Sequence, residues 1–325
     1  MPANKIKAAF TEPMLLLPMR TLPEGANWAY ELKLDGYRAL AVKTNGQVHL
    51  RSRNNKDFNA KYPAVTKALA PLPDETVIDG EVVALDASGR PSFNTLQNHG
   101  SAKVPIIYYV FDVLILSGRD VMSEPLATRR DLLRSQILPN LSEPVRHCPE
   151  LNASLADVIE SVRAAGLEGV VAKHLDSRYE PGQRSSAWQK MRINQGQEFV
   201  IGGYTLGGTN FDALVFGCYE ADRLLYVGRT RNGFTPSSRE QLYRRFRGLD
   251  IAECPFVNLP EAKSERWGQG LTADKMKECR WLKPVMVAQF EYVEWTPDNH
   301  LRHASFIALR EDRDAREVLR EDDAR

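Results

Sequence analysis

One lysine in the chain stands in a setting suited to nucleophilic chemistry. Lys33 lies between Leu32 and Leu34 on a predicted strand, and the turn-forming pair Asp35-Gly36 follows at once. An amine attacks only when neutral, and at its ordinary pKa only about one lysine in a few thousand is neutral at pH 7. Apolar neighbours that pack to either side would desolvate the amine, and a nearby cation would help further. Lys33 is therefore the candidate nucleophile, with a surface lysine as the alternative interpretation.

Carboxylates and cations in later segments fit a reaction at a phosphate. Glu81 and Glu168 each lie at the end of an apolar strand-like run, where a carboxylate needs a partner. The cations Lys173, Lys190 and Arg192 follow. Phosphoryl-type transfer requires cations around the phosphate and metal-binding carboxylates from separate segments. Each of these side chains alone would be taken for a surface charge.

The elements that must position these residues are predicted from periodicity and turn signals. Residues 28–53 are predicted to be antiparallel β-structure, because Tyr37–Lys43 and Gln47–Arg53 flank Thr44-Asn45-Gly46 and Asn-Gly is the strongest short hairpin signal. Thr76–Leu85 is predicted to form a second strand pair. Helices are predicted at Tyr62–Ala70, Ala127–Ile137 and Leu155–Ala165. This part of the chain is therefore mixed α/β with antiparallel strands.

The segment Ile106–Leu116 is rich in β-branched and aromatic residues and is predicted to be a buried strand. Phe111 lies within it. The pattern alone favours a core side chain at this position. An aromatic face is also how proteins commonly stack a base, so both roles for Phe111 remain open.

After Arg192 the pattern changes to short strands separated by turn residues. The predicted elements are strands at Glu198–Tyr204, Asp212–Tyr219, Arg223–Arg229 and Val285–Thr296, and a helix at Ser237–Arg247. Short strands with one helical insert are typical of a small β-barrel such as an OB-fold. The boundary is placed near Gln195-Gly196-Gln197. The charge-dense segment Glu311–Arg325 is predicted to be an exposed helix or a frayed tail.

Bulk properties argue against several classes of protein. The 325 residues suffice for two domains or one large one. No apolar run approaches the roughly 18 residues of a membrane span, and no signal-peptide core is present, so a cytoplasmic protein is expected. Four scattered cysteines without a C-x-x-C pair argue against a zinc ribbon, and they do not imply a disulfide framework. The net charge of +1 can hide a basic face, for which the arginines between positions 229 and 247 are candidates.

A series of motifs follows Lys33 in a fixed order. The motifs are Ser52-Arg53-Asn54, Asp79-Gly80-Glu81, Tyr109-Val110-Phe111-Asp112, Leu167 to Lys173, and Trp188-Gln189-Lys190-Met191-Arg192. The series resembles the nucleotidyltransferase signature shared by ATP-dependent DNA ligases, RNA ligases and mRNA capping enzymes. The resemblance continues through Trp281 to Thr296 and Leu301 to Asp312. Over nearly its whole length the chain resembles the ATP-dependent DNA ligase core of bacterial non-homologous end joining.

The resemblance implies an α/β (α+β) fold in two domains. Residues 1–195 would form an antiparallel-sheet nucleotidyltransferase (adenylation) domain, and residues 196–325 an OB-fold β-barrel. Lys33 would attack the α-phosphate of ATP, release pyrophosphate and hold AMP as a phosphoramidate. AMP would pass to the 5′-phosphate of a DNA nick, and the 3′-hydroxyl would displace it to seal the strand. The implied cofactors are ATP, as covalent AMP, and Mg²⁺ or Mn²⁺.

The resemblance also implies a role for each matching residue. Glu31 would lie beside the adenine, and Phe111 would stack on it. The residues implied to contact the sugar or phosphates are Arg38, Arg53, Glu81, Arg184, Lys190 and Arg192, the last two at the α-phosphate. Glu81 and Glu168 would bind metal. Arg302, Arg310 and Asp312 on the barrel would close over ATP in the first step only, which implies domain closure and reopening.

The chain departs from the family pattern at two positions. Arg192 and Arg313 stand where lysine is usual, which keeps the charge but changes the phosphate geometry. Activity is expected to be retained. The helical DNA-encircling domain and the zinc module of other ligases are not recognised in the sequence. A minimal ligase, or a piece of a longer one, is therefore expected.

The implied partners are nicked or broken duplex DNA, contacted mainly at phosphates, and Ku or other end-joining proteins. A monomer without membrane association, cytoplasmic and at the nucleoid when acting, is expected. Two alternatives stay open: an RNA ligase or capping-type enzyme that uses the same lysine, and a silent nucleic-acid-binding relative. A preference for GTP over ATP would identify the capping type. The intact set Lys33, Glu81, Glu168 and Lys190 argues against a silent relative.

Overall fold

The computed structural model describes residues 5–97, 104–193, 196–261 and 271–320. The chain forms two compact units, the first ending at residue 194 and the second beginning at residue 195. Each unit has its own sheets and its own hydrophobic clusters. Among the described residues, no helix is long and apolar enough to cross a bilayer.

The described part of the first unit contains strands and four short α-helices. The strands are β1 (Leu15–Pro18), β2 (Trp28–Leu32), β3 (Tyr37–Thr44), β4 (Gln47–Ser52), β5 (Thr76–Ala84), β6 (Ile106–Leu116), β7 (Arg119–Asp120), β8 (Val145–His147), β9 (Gly169–His174) and β10 (Arg184–Arg192). The helices are α1 (Pro63–Ala68), α2 (Phe93–Gln97), α3 (Leu126–Leu132) and α4 (Leu155–Ala164). Helix α3 continues into a π-helical turn at Leu133–Ile137. The three predicted helices are confirmed as α1, α3 and α4.

These strands form two sheets. Sheet I has the order β1-β10-β9-β2, and sheet II has the order β4-β3-β5-β6-β7, with β8 also paired to β6. The pairings are antiparallel except those of β1 with β10 and of β6 with β8, which are parallel. The prediction of a mixed α/β unit with mainly antiparallel strands is therefore confirmed.

Each face of sheet I packs against a hydrophobic cluster. One joins sheet I to sheet II and includes Trp188 of β10 together with Leu40 and Phe111 of sheet II. The other joins sheet I to α4 and includes Val170 of β9 and Val158 of the helix. Sheet I is thus a buried middle layer, and the face that it turns to sheet II is the one available for a site between the sheets.

The predicted hairpin is confirmed, whereas the predicted second strand pair is wrong. Strands β3 and β4 pair antiparallel with Thr44 opposite Gln47. The turn residues Asn45 and Gly46 have φ of 50° and 74°, as a type I′ turn requires. The segment predicted at Thr76–Leu85 forms only the single strand β5, because it pairs along its length with β3 on one side and β6 on the other.

The described part of the second unit is also rich in strands. The strands are β11 (Gly196–Gly207), β12 (Asn210–Glu220), β13 (Arg223–Thr230), β14 (Asp250–Ile251), β15 (Cys279–Glu291), β16 (Glu294–Trp295), β17 (Leu301–Arg302) and β18 (Ser305–Leu309), and the helices are α5 (Pro236–Arg245) and α6 (Ala273–Met276). Sheet III has the order β13-β12-β11-β15-β14, with β18 also paired to β15. The predicted short strands and the predicted helix α5 are confirmed. Strand β15 begins earlier than predicted, and Pro284 lies within it where the pairing with β11 shifts register, as proline does at bulges.

The prediction for Glu311–Arg325 is wrong for the part that the structure describes. Up to residue 320 its one helical element is a 3-10 turn, at Ala315–Glu317, and Leu319 forms an isolated bridge with Tyr219. Ala315 and Val318 are buried in the core cluster of the unit, and the backbone N–H of Tyr219 donates to the Val318 carbonyl at 2.8 Å. Ala315 and Val318, three positions apart, therefore anchor this segment to the core. Its high content of charged residues had suggested a solvated segment. Residues 321–325 lie outside the described residues.

Candidate active site

Lys33 lies where the chain passes from sheet I to sheet II. It follows the last residue of β2, and its backbone N–H donates to the Gly169 carbonyl at 2.9 Å, which extends the ladder with β9 by one residue. Leu32 packs against the cluster at α4, and Leu34 packs against the cluster between the sheets. The two leucines therefore pack to either side of the lysine, which is the condition under which they would desolvate its amine. The Lys33 side chain is 13% exposed, so a ligand can reach it.

The turn after Lys33 depends on its two motif residues. A carboxylate oxygen of Asp35 accepts a hydrogen bond from the Phe93 backbone N–H at 2.9 Å, at the start of α2. A Cβ on Gly36 would lie 2.3 Å from the Val82 carbonyl oxygen. The aspartate and glycine are therefore needed to seat the turn against sheet II, which holds the lysine at the crossing.

Two other motif glycines have the same steric cause. A Cβ on Gly80 would lie 2.4 Å from the Tyr109 carbonyl oxygen, and a Cβ on Gly169 would lie 2.1 Å from the Met191 carbonyl oxygen. Each glycine precedes or follows a candidate metal-binding glutamate. The close approach of neighbouring backbones is thus what places those carboxylates.

Glu168 is brought directly to the candidate nucleophile. Its Oε1 contacts Lys33 Nζ and lies 3.4 Å from Arg192 Nη2. Its Oε2 is buried and has no hydrogen-bond partner among the described residues. The structure therefore brings two predicted site residues, Lys33 and Arg192, to one oxygen of Glu168 and leaves the other oxygen for a further ligand.

The other predicted cations share a face of sheet I. Lys190 pairs with Val171, which in turn pairs with Glu31. Directly opposed residues and residues two apart in a strand lie on one face, so Lys173 and Arg192 are on this face too. Lys190 is 8% exposed. Sheet I thus presents three cations and Glu31 toward sheet II.

Glu31 and Lys173 form a buried ion pair, with 2.8 Å between Nζ and Oε2. Arg130 of α3 pairs with the other oxygen of Glu31. Burial by itself would raise the pKa of Glu31, but Lys173 and Arg130 outweigh it and hold the pKa below its usual value. Burial lowers the pKa of Lys173, and the attraction of Glu31 offsets only part of this. The carboxylate of Glu31 is therefore occupied with orienting Lys173, and its predicted place beside adenine is still a prediction.

Arg38 of β3 is held by a fully buried carboxylate. Its Nε lies 2.6 Å from Asp79 Oδ1 and its Nη2 lies 2.5 Å from Asp79 Oδ2. The hydroxyl of Tyr179 donates to the same Oδ2 at 2.6 Å. Burial works against the charge on the guanidinium, but Asp79 outweighs it and raises the pKa of Arg38 above its usual value. Arg38 is therefore a fixed positive charge.

Phe111 lies between the two sheets with cations close to its ring. The Lys173 Nζ is 3.9 Å and the Arg38 guanidinium carbon 4.6 Å from the ring centroid. The side chain is 7% exposed and belongs to the core cluster. The interpretation of Phe111 as a core residue is confirmed, and its stacking on adenine stays a prediction.

Two further predicted residues border Arg38. Glu81 of β5 pairs with Arg38 on one side and with Tyr109 of β6 on the other, so the three side chains share a face of sheet II. The backbone N–H of Arg53 donates to the Arg38 carbonyl at 3.1 Å. Arg38, Arg53 and Glu81 are therefore neighbours, as contacts to one nucleotide require.

The remaining predicted residues lie away from this group or in the second unit. Arg184, at the start of β10, donates to the Leu16 carbonyl at 2.6 Å. In the second unit, Arg302 donates to Glu294 at 2.7 Å. Arg310 is bidentate to Asp312, at 3.0 and 2.9 Å, and both are buried. The roles implied for these four residues stay predictions.

The sequence interpretation assigned no role to Asp79, Tyr179 or Arg130. Asp79 carried a signal, since a carboxylate in an apolar strand needs a partner. Tyr179 lies 100 positions from Asp79, and Arg130 lies 99 positions from Glu31. No local pattern reports contacts across such separations.

Glu168 fits a divalent cation although the site is not a closed cage. The described residues contain no group of three or more His, Cys, Asp or Glu side chains arranged for a metal. Mg²⁺ commonly takes one or two protein carboxylates and completes its shell with water and phosphate oxygens. The spare buried oxygen of Glu168 meets that need. All four cysteines are free.

Two family models match the chain. The model described as ATP dependent DNA ligase domain matches residues 5–192, and the model described as ATP dependent DNA ligase C terminal region matches residues 207–313. The first match alone spans more than half of the chain and contains the candidate active site.

Curated relatives point to the same family. The chain is 35% identical over 309 residues to the multifunctional non-homologous end joining protein LigD of Pseudomonas aeruginosa, covering 92% of this chain and 35% of that one. It is 30% identical over 327 residues to DNA ligase C1 of Mycolicibacterium smegmatis, covering 93% of this chain and 90% of that one. The chain thus spans little more than a third of the length of LigD.

Solved structures agree in fold. A mycobacterial DNA ligase D complexed with ATP and MES superposes with a TM-score of 0.69 at 34% identity, covering 95% of this chain and 98% of that one. The ligase domain of LigD from M. tuberculosis gives a TM-score of 0.51 at the same identity and coverage. The predicted fold class, an α/β adenylation domain followed by an OB-fold region, is confirmed by these matches. The chain belongs to the family of ATP-dependent DNA ligases.

Proposed function

We propose that this protein seals nicks in duplex DNA between a 3′-hydroxyl and a 5′-phosphate, through a lysyl-AMP and a DNA-adenylate. The observation that carries the proposal is the placement of Lys33 at the crossing of two sheets, in contact with Glu168. Arg192 lies beside that pair. A lysine so placed, in a member of the ATP-dependent DNA ligase family, has the surroundings that adenylation requires.

In the first step Lys33 must lose a proton before it attacks. Glu168 Oε1, which contacts Nζ, is in position to accept that proton. The Nζ–P bond to the α-phosphorus of ATP then forms as the bond to pyrophosphate breaks. Lys190 and Arg192, on the same face of sheet I, would stabilise the charge that develops on the α-phosphate.

In the second step Lys33 is the leaving group, and in the third step it takes no part in bond making or breaking. The 5′-phosphate of the nick takes AMP from Nζ, which breaks the N–P bond and frees the amine. The 3′-hydroxyl then attacks that 5′-phosphorus, AMP leaves, and the strand is joined. Fixed cations beside Lys33 can serve all three transfers, because each passes through a charged phosphate.

The roles of the other residues belong to the same proposal. Glu31 and Phe111 would border the adenine, while Arg38, Arg53, Glu81 and Arg184 would bind the sugar and phosphates. Residues 1–195 would form the adenylation domain. Residues 196–325 would close over ATP in the first step, bringing Arg302, Arg310 and Asp312 to the pyrophosphate.

Glu168 would hold the divalent cation, with Glu81 as the second carboxylate. The support is the buried Oε2 of Glu168, which the described residues leave without a hydrogen bond. Bound there, Mg²⁺ or Mn²⁺ would supply positive charge next to the reacting phosphate.

The biological setting is inferred from the names of the relatives. LigD is named for non-homologous end joining. We infer that this protein acts in DNA repair by end joining on nicked or broken duplex DNA, with Ku or other end-joining proteins as partners. We expect a monomer in the cytoplasm, at the nucleoid when acting.

Intact-protein mass spectrometry tests the proposal. Protein freed of bound AMP is incubated with ATP and magnesium, then mixed with nicked DNA. We expect a gain of one AMP that disappears as the nick is sealed. Lys33→Ala should show no gain, whereas Lys67→Ala, on the exposed side of α1, should behave as the unaltered protein.

Each other outcome contradicts part of the proposal. Absence of an adduct in the unaltered protein would refute the lysyl-AMP chemistry and favour a nucleic-acid-binding role. An adduct that nicked RNA discharges and nicked DNA does not would make the protein an RNA ligase. An adduct formed from GTP rather than ATP would indicate a capping-type enzyme.

A further inference from the structure

Asp79 of β5 is a carboxylate with several hydrogen-bond partners. It is fully buried and accepts hydrogen bonds from Arg38 Nε, Arg38 Nη2 and the Tyr179 hydroxyl. A buried carboxylate is stable only when its oxygens have such partners. The position of Arg38 is therefore set by a three-residue group rather than by an isolated ion pair.

Tyr179 ties this group to a different part of the chain. It lies between β9 and β10, and its backbone N–H donates to the Met122 carbonyl at 2.8 Å. Its hydroxyl accepts from the Met14 N–H at 3.0 Å while it donates to Asp79. The ring packs edge-on against Trp188, with 5.6 Å between centroids. Contacts of the backbone, ring and hydroxyl with four separate segments thus hold Tyr179 in one place.

The arrangement leaves one arm of the Arg38 guanidinium for a ligand. Nε and Nη2 both face Asp79, and Nη2 also lies 3.4 Å from the Met14 carbonyl. Nη1 has no hydrogen bond to the described residues, and the side chain is 15% exposed. A guanidinium is a rigid planar fork, so fixing two nitrogens fixes the direction of the third.

We propose that Tyr179 is a positioning residue for nucleotide binding: its hydroxyl holds Asp79, and Asp79 directs Nη1 of Arg38 toward an oxygen of the bound nucleotide. This inference rests on the proposed function and adds a residue to it. Tyr179 does not touch the nucleotide and acts only through Arg38. Its loss should therefore weaken the binding of ATP without slowing the chemistry at Lys33.

The test is the rate of Lys33 adenylation as a function of ATP concentration. For Tyr179→Phe we expect KM for ATP to rise about tenfold, as for a lost hydrogen bond to a charged group, with kcat within about twofold. Tyr30→Phe is the matched control. Tyr30 is also a buried tyrosine, and its hydroxyl donates to the Pro23 carbonyl at 2.9 Å, in the cluster on the opposite face of sheet I. Its KM should not change.

A double-mutant cycle with Arg38→Lys separates positioning from loss of stability. If Tyr179 acts through Arg38, Tyr179→Phe should change KM by less than about twofold in the Arg38→Lys background. Equal KM values for Tyr179→Phe and Tyr30→Phe would overturn the inference, as would effects that multiply in the double variant. Failure of the unaltered protein to form lysyl-AMP would overturn the proposed function itself. Unfolding temperatures of all variants show whether a lower rate reflects unfolded protein.

Discussion

At the residue scale, the two carboxylate oxygens of Glu168 have different surroundings. One oxygen contacts the Lys33 ammonium and lies 3.4 Å from Arg192. The other is buried without a hydrogen bond to the described residues. An unsatisfied buried acceptor costs free energy, and a water, an ion or a catalytic role is the usual reason that a protein retains one. Glu168 therefore connects the nucleophile to the metal in the proposed reaction.

Replacing Glu168 by glutamine tests this connection. Glu168→Gln keeps the shape of the side chain but removes the negative charge that we propose binds a cation and takes the proton from Lys33. We expect the rate of adenylation at saturating ATP and Mg²⁺ to fall at least about 100-fold, as measured by intact mass. Glu160→Gln, on the exposed side of α4, should keep the full rate. A Glu168→Gln rate near that of the control would remove Glu168 from the mechanism.

At the element scale, the site depends on close approaches between backbone segments next to Lys33 and Glu168. Gly169 lets β9 approach β10 so closely that a Cβ would lie 2.1 Å from the Met191 carbonyl oxygen. Gly36 does the same for the turn that follows Lys33. Both glycines have ordinary negative φ, so their role is close approach rather than an unusual backbone conformation. These close approaches determine the positions of the backbone at Lys33 and at Glu168, and so whether the two side chains can meet.

Gly169→Ala should therefore destabilise the first unit. The added methyl group cannot be accommodated without moving β9 away from β10, and we expect a loss of at least about 2 kcal/mol in the free energy of unfolding. Chemical denaturation monitored by circular dichroism measures it. At Gly196 the nearest atom to an added Cβ is 3.4 Å away, so Gly196→Ala is the matched control and should lose much less. Equal losses would show that close packing at Gly169 is not the cause.

At the scale of the whole molecule, a net charge of +1 conceals exposed arginines. Arg244 and Arg245 at the end of α5 are 66% and 63% exposed. They pair with Glu240 at 3.1 Å and with Glu311 at 2.9 Å. Exposed ion pairs of this kind contribute little to the free energy of folding. DNA phosphates can therefore compete with the glutamates for these guanidinium groups.

We expect Arg244→Gln combined with Arg245→Gln to weaken the binding of nicked DNA. The plot of log K against log salt concentration should lose a slope of about 1 to 2, one unit for each lost phosphate contact. Fluorescence anisotropy at several salt concentrations measures this slope. Arg223→Gln removes a similarly exposed arginine that pairs with Glu220 in the β12–β13 turn, and its slope should not change. Unchanged affinity of the double variant at low salt would refute the assignment.

Prediction from the sequence succeeded where the physics is local. The Asn45-Gly46 turn was predicted from residue type, because few residues tolerate positive φ. The prediction failed at Thr76–Leu85 and at the segment after residue 310. Whether a strand is single or paired depends on its neighbours in the sheet. Whether a charged segment is solvated depends on the few apolar side chains, such as Val318, that find a core to enter.

By itself the sequence determined the family and the order of the candidate site residues, because residue types and spacings around Lys33 are readable without a fold. Only the tertiary structure decided which charges meet. Glu168 contacts Lys33 across 135 positions, and Lys173 is buried with Glu31. Tyr179 reaches Asp79 from another segment. Such contacts follow from strand register and from the packing of sheet I on sheet II, and these arise from cooperative burial of the whole core rather than from any local stretch of residues.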